Sequence, residues 1–405
     1  MTNKYLKKQI SDFQKWGWNG VSTKIKNRLI APKTKFKINK TLEQSRKYQR
    51  KSILIINGAA KTVSEIHRVK HLEDKLSLLK IPFVSINDNL LNKFLPENIY
   101  NFDLFYIHRC QYKNKLIELL DNLRKENKTI IYDIDDLIFD QDQIKKISFL
   151  KTMDSVFKKN FIKNTKSHLK IMKKCNLTIT PTNFLSKYIN DKYHIKTEVL
   201  RNHLDQKSLD NGKKIFIKNE NKINKTVTIG YFPGTKTHQK DLEIINENIQ
   251  ELLQKYPHLK LKIVGDPSLA TFFSKTKKQI IVHQKVPYKK LMKLYDGVDI
   301  HLAPLEINND FCEGKSELKY FFAGACGIPT IASATDAFRY AIKNGVNGYL
   351  CYKNDDWKKY LEELINNPKK RLSIGKKAFK HVHQEYTPKY QSQELAKILK
   401  KIKFL

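Results

Sequence analysis

Within the stretch EGKSELKYFFAGACGIPTIAS (313–333), Glu313, Lys315 and Ser316 bring a carboxylate, an ammonium and a hydroxyl to the start of a small-residue segment. Helix N-termini carry unpaired N–H groups and a partial positive charge, so they attract phosphate. The spacing predicts a helix from an N-cap at Ser316 through Ala325, with Gly327 as C-cap and Pro329 blocking continuation. Lys315 and, one turn on, Lys319 would add full charges, each charge-assisted hydrogen bond contributing about 1.5–3 kcal/mol. An ordinary capped helix with surface lysines fits the same residues.

A second group lies in the first half of the chain. YDIDDLIFD (132–140) carries Asp133, Asp135 and Asp136, which suit either a metal-binding DxD or hydrogen bonds to acceptor hydroxyls. His108 and Arg109 close the run DLFYIHR. NGAAKTVSEIHR (57–68) offers Gly58 for close approach of a ligand, with His67 and Arg68 on the following helix. There is no GxSxG, P-loop, HExxH or GxGxxG, which argues against hydrolase, NTPase, zinc-protease and nicotinamide chemistry. The five cysteines are scattered without CxxC spacing, so a reducing cytoplasm is expected, with no metal ligands and no cofactor.

These groups need elements to hold them. At 405 residues the chain predicts two domains. Apolar runs at 52–57, 82–86, 103–108, 129–134, 177–180 and 197–201 alternate with helical patterns such as Ile66, Val69, Leu72, Leu76 and Leu79. The alternation restarts at 227–232, 259–265, 279–283, 298–304 and 329–333 after a polar stretch over 207–225 that reads as a linker. Strands apolar throughout, separated by helices, predict an α/β protein of two Rossmann-like, doubly wound parallel-sheet domains over 51–206 and 226–384. Ligands bind such sheets at the carboxyl ends of their strands, here in a cleft between the two domains.

Residues 1–50 stand apart as a basic extension with Phe13, Trp16, Trp18 and a Pro32 expected to end any early helix. An amphipathic helix there would suit an anionic membrane surface; a helical arm packed on the body fits too. The net charge of +37 points to anionic partners, although abundant Lys, Asn and Ile also follow from AT-rich coding. Nucleic acid is not expected, since no RNP-like run, zinc-finger spacing or basic zipper is present. The first 20 residues lack a signal-peptide core and cleavage site, and no run of about 18 apolar residues occurs.

The order of strand, acidic loop, Lys-Ser helix, Gly-Ile-Pro, strand and GVNGYL (345–350) resembles the donor half of GT-B glycosyltransferases of the family 4 group, over residues 220–370. The resemblance implies a nucleotide-diphosphate sugar donor, with Glu313 near the sugar hydroxyls and Lys315 and Ser316 on the phosphates. IGYFPGTKTHQKDLEII (229–245) is similar to the first turn of that domain. By the same likeness Gly234, Thr235, Lys236, His238 and Lys240 would cradle the diphosphate, with Lys236 substituting for an Arg usual near Thr235. Phe322 stands where many relatives carry a ribose-binding Glu, so ribose recognition departs from the pattern. The D-x-D-D-L stretch implies a structural or acceptor-side role for Asp135 and Asp136, without metal.

The implied activity is transfer of a sugar, with retention, to a glycan or lipid-linked acceptor in cell-surface polysaccharide assembly. It would take place in the cytoplasm or at the inner membrane face, and helix 385–405 would cross back to the N-terminal domain. No side chain presents itself as a nucleophile. A GT-B-type polyol-phosphate transferase for wall or capsule polymer, and a non-catalytic glycan- or anion-binding protein, are the alternatives.

Overall fold

Apolar runs that bury both faces of a strand build two parallel sheets, each strand's carboxyl end leading into a helix. The computed structural model describes residues 23–91, 97–146, 154–233 and 239–405. The first sheet contains β1 (Ile53–Asn57), β2 (Phe83–Asn87), β3 (Leu104–His108), β4 (Thr129–Asp133), β5 (Leu177–Thr180) and β6 (Thr197–Val199), in the order β2-β1-β3-β4-β5-β6. The second contains β7 (Val227–Tyr231), β8 (Leu259–Gly265), β9 (Ile280–Gln284), β10 (Ile300–Ala303), β11 (Thr330–Ser333) and β12 (Tyr349–Cys351), in the order β12-β11-β10-β7-β8-β9. Every strand pair among the described residues is parallel. The expected two-sheet architecture is thus observed; the three-residue β12 was too short to stand out as a strand.

β1 shows why its sequence is apolar throughout. Leu54 and Ile56 face one core with Leu116, Leu119 and Leu120 of helix Asn114–Lys125. Ile53 and Ile55 face the other, with Leu72 and Leu76 of helix His71–Leu78. That second face is closed by Leu395, Ile398 and Leu399, so the terminal helix Pro388–Lys401 packs on the N-terminal sheet.

The stretch expected as a linker is largely helix, Gln206–Asn219. Asp205 caps it by accepting from the Ser208 backbone at 2.9 Å. Its apolar side is sparse in sequence but well used: Phe216 stacks on Phe379 with ring centroids 4.0 Å apart. At Gly212 a Cβ would lie 2.7 Å from the Ala325 carbonyl oxygen, so only glycine permits this approach. Lys and Asn dominate the composition and masked that face.

Pro32 does not end the first described helix; it lies inside Thr23–Lys47. Proline's fixed φ is helical, and the turns beyond it are anchored by buried Ile38 and Leu42. On the same helix Lys33, Lys35, Lys37 and Lys40 are exposed, as is Phe36. Phe13, Trp16 and Trp18 lie outside the described residues.

Candidate active site at the interdomain cleft

Strand register, rather than local sequence, assembles the N-terminal side of the site. Asn57 pairs with His108, and His108 with Asp133, so the last residues of β1, β3 and β4 form a row at the carboxyl edge. Asp133 is buried and receives Arg68 on both oxygens, Nε at 2.9 Å from Oδ1 and Nη2 at 2.6 Å from Oδ2. Arg68 Nη1 also donates to the Leu200 carbonyl at 2.7 Å and Asn202 Oδ1 at 3.0 Å. Burial alone would raise the Asp133 carboxyl, but Arg68 and the His108 bond hold it well below the usual range. His108 Nδ1 lies 3.0 Å from Asp133 Oδ1, and its Nε2 lies 2.9 Å from Ser64 Oγ. Ser64 Oγ is in turn 2.8 Å from Asp135 Oδ2.

Arg109 continues the chain of contacts. Its Nε binds Asp135, and its Nη2 donates to Asp136 Oδ2 at 2.5 Å. Arg109 has φ +46°, a left-handed conformation that costs a non-glycine residue on the order of 1–3 kcal/mol and that turns the chain at the end of β3. Burial would raise Asp135, yet Arg109 keeps it low. Asp136 then reaches across the cleft: its Oδ1 is 3.8 Å from Lys315 Nζ. A continuous polar path therefore runs from Asp133 through His108, Ser64, Asp135, Arg109 and Asp136 to Lys315.

On the C-terminal side, the helix after the acidic loop begins one residue later than expected. It spans Leu318–Gly324 with Glu317 as N-cap, so Ser316 is not the cap. Ser316 Oγ instead accepts from Asn202 Nδ2 at 3.1 Å, another contact with the N-terminal half, and Glu317 takes Arg201 at 3.3 Å and Tyr386 OH at 2.9 Å. A buried carboxylate with those partners is more useful inside than at the surface, which displaces the cap. Lys315 is one-quarter exposed and lies 4.5 Å from the centroid of the Phe311 ring. The Lys319 ammonium is buried with no hydrogen-bond partner among the described residues, and burial lowers its pKa. The Tyr231 ring, 5.4 Å from the ammonium, and the attraction of Asp241 offset only part of the cost of burying that charge, which a bound anion would lower further.

Other expected site residues have different surroundings. The Glu313 carboxylate accepts from the Asp336 backbone at 2.8 Å and pairs with Arg339 at 3.4 Å, so it serves the N-terminus of helix Asp336–Ala341. Gly58 makes room for protein: a Cβ there would lie 2.6 Å from the Arg109 carbonyl oxygen. Lys240, in helix Gln239–Glu243, is half-exposed and 3.8 Å from Glu306. Gly234, Thr235, Lys236 and His238 lie outside the described residues. Among the described residues no group of three or more His, Cys, Asp or Glu side chains is arranged to hold a metal ion.

Ser64 was not singled out by sequence, since its contacts with His108 and Asp135 come from 44 and 71 residues away.

Phe322 is buried in an aromatic junction between the halves, edge-on to His67 at 6.2 Å and to Tyr288 at 5.8 Å. His67 meets His71, which stacks on His203 at 4.5 Å. Burial lowers His67 to about 4 and drives His71 and His203 well below the ordinary value. Neutral imidazoles are thus favoured in the packed state, whereas unfolded histidines protonate near pH 6.5. Full stability is present above about pH 6.5, and it falls as pH drops from there towards 4. Each histidine contributes at most about 1.4 kcal/mol per pH unit in that window. Urea midpoints at pH 7 and pH 5 should show the loss, and His71→Phe should reduce it; a midpoint independent of pH would contradict this packing.

The two facing parallel sheets have the GT-B fold, as solved structures of that fold show. Sucrose-phosphate synthase from Thermosynechococcus elongatus superposes with a TM-score of 0.60 at 11% identity, covering 87% of this chain and 99% of that one. The Anabaena protein HepE, crystallised with UDP and glucose, gives a TM-score of 0.58 at 14% identity, covering 87% of this chain and all of that one. At these identities the likeness establishes the fold. In sequence, residues 213–381 match the model for the family glycosyl transferases group 1. The D-inositol 3-phosphate glycosyltransferase of Corynebacterium aurimucosum is 25% identical over 167 residues. That match spans 38% of each protein, so the chain covers under two fifths of this curated relative's length.

Proposed function

We propose that the protein is a glycosyltransferase that moves a sugar from a nucleoside-diphosphate donor, held by the C-terminal half, to a glycan or lipid-linked acceptor held by the N-terminal half. The observation that carries this reading is the pair of lysines at the cleft. Lys315 faces Asp136 across it, and one turn on the Lys319 ammonium lies buried over the Tyr231 ring without a hydrogen-bond partner among the described residues. Positive charge at this wall of the cleft suits a departing diphosphate, whose charge grows as the bond to the sugar breaks. The group 1 match over 213–381 and the UDP bound to HepE favour a nucleotide-sugar donor.

Retention of configuration, a family 4 assignment and a hexosyl donor are the finer expectations, with surface polysaccharide as the product. The exposed Lys33, Lys35, Lys37, Lys40 and Phe36 would seat the enzyme on an anionic membrane, each lysine near the surface contributing about 1 kcal/mol.

A thermal-shift panel of nucleoside diphosphates tests the donor class. A ligand at a hundred times its Kd should stabilise by about 2.7 kcal/mol. UDP or GDP should raise the melting temperature. A response to CMP or CDP-glycerol alone would support polyol-phosphate transfer, and no response to any nucleotide would support a non-catalytic role.

A further inference from the structure

We propose that a cavity at the amino edge of the C-terminal sheet is a second binding site, one for a small phosphate monoester that also carries hydroxyl groups. It lies at the opposite end of the strands from the cleft, and it does not rest on the sugar-transfer reading.

Parallel sheets of this kind hold their main ligands at the carboxyl ends of the strands. This cavity is built from the other ends. Gly297, Val298 and Asp299 lead into β10, and Gly327, Ile328 and Pro329 lead into β11. Helix Gln206–Asn219 ends against it with Phe216 and Asn219. Helix Pro368–Glu385 adds Arg371, Leu372 and Lys376. The volume is about 40 Å³. A single water needs roughly 10–15 Å³, so the space is on the scale of a phosphate group.

Arg371 gives the cavity its chemistry. The residue is only 4% exposed. Its Nη1 donates to the carbonyl oxygens of Leu364 at 2.5 Å and Ile365 at 3.4 Å, which satisfies the last turn of helix Asn354–Asn366. Nε and Nη2 have no hydrogen-bond partner among the described residues, yet neither atom is sealed from solvent. Solvent reaches them through the opening that Arg371 lines, which is this cavity. Half of a buried guanidinium is therefore left for an occupant. Burial works against its charge, and the attraction of Asp299 offsets this only in part. Arg371 and Asp299 both line the cavity without forming an ion pair among the described residues. Asp299 instead accepts from the Thr228 backbone at 2.8 Å and from Asn224 Nδ2 at 3.4 Å. A buried cation with an incomplete set of partners is costly, and a bound anion lowers that cost.

The rest of the lining selects among anions. Lys222 and Lys376 are exposed and pair with no carboxylate among the described residues, so three cations surround the space. Three positive charges suit a dianionic phosphate better than a single carboxylate. Asp299 and Glu220 line the same cavity and repel a bare phosphate. Each carboxylate keeps acceptor capacity for hydroxyl donors. A phosphate ester with hydroxyl groups meets both demands, its phosphate on Arg371 and the lysines and its hydroxyls on the carboxylates. Val298, Ile328 and Leu372 offer apolar surface to its CH groups.

Calorimetric titration of the full chain with glycerol 3-phosphate, glucose 6-phosphate, inorganic phosphate and glucose tests the site. At least one ester should bind with single-site stoichiometry, about tenfold or more tighter than inorganic phosphate, and glucose should not bind. Lys222→Ala combined with Lys376→Ala should weaken the ester about tenfold or more, as for loss of charged contacts. The melting temperature of this double variant without ligand should barely move, because both lysines are exposed and unpaired. It is preferred to a change at Arg371, which also holds helix Asn354–Asn366. Lys315→Ala, at the cleft, should leave ester affinity within about twofold. Binding of neither ester would mean that the cavity holds only water, and the proposal is then overturned. It is overturned equally if Lys315→Ala abolishes ester binding while the double variant keeps it, which places the ester in the cleft. Inorganic phosphate binding as tightly as both esters would refute the hydroxyl contacts. Nucleoside diphosphate binding is read separately, so this site and the sugar-transfer reading can each fail alone.

Discussion

Lys315→Ala should lower sugar transfer about a hundredfold or more, the scale found when one preorganised donor to a developing anion is removed. The expectation follows from position. Lys315, just after the acidic loop, brings a positive charge to the opposite wall of the cleft, where it is 3.8 Å from Asp136. A partly exposed pair at that distance contributes only about 0–1 kcal/mol to stability. Melting temperature should therefore barely change while turnover collapses. Lys315→Arg should recover part of the rate, since it keeps the charge with different geometry. Equal loss of stability and activity would instead make Lys315 a structural tie between the domains.

The largest stability effect is expected at Arg68. Its guanidinium and the Asp133 carboxylate are 1% and 0% exposed, so bulk solvent reaches neither. Arg68→Met should destabilise the N-terminal domain by about 3–5 kcal/mol, because it leaves a buried carboxylate uncompensated. Asp133 then loses its two-point clamp, and His108 loses its fixed orientation with it. Urea unfolding followed by fluorescence measures the stability loss. Asp133→Asn in the same background should return part of it, since the unpaired charge is gone. A loss under about 1 kcal/mol for Arg68→Met would mean that the pair is hydrated.

What sequence could and could not disclose divides along physical lines. Ile53, Leu54, Ile55 and Ile56 announce a strand buried on both faces, because each sheet face needs alternate residues of the same run. The parallel architecture was therefore legible. Gln206–Asn219 was not, because its few apolar residues are diluted by Lys and Asn, yet Phe216 and Gly212 still seat it. Lys315 was legible as a cation beside a helix start. Ser316 was misplaced as the cap because the competing use, a bond with Asn202, comes from 114 residues away. Glu313 matched a familiar spacing, but a helix N-terminus 23 residues on claims its carboxylate. Ser64 was invisible for the same reason: only the register of β1, β3 and β4 brings it to His108, 44 residues on in the chain.

The most direct measurement is calorimetric titration of UDP and GDP into the full chain and into Lys315→Ala, at low salt and at about 0.15 M salt, where the Debye length is about 8 Å. One nucleotide should bind the wild-type protein with single-site stoichiometry, and both the substitution and added salt should weaken it, the substitution by about tenfold or more, as for loss of a charged contact. Absence of binding by either nucleotide, or an affinity that ignores the loss of Lys315, would contradict a cleft built to hold a diphosphate.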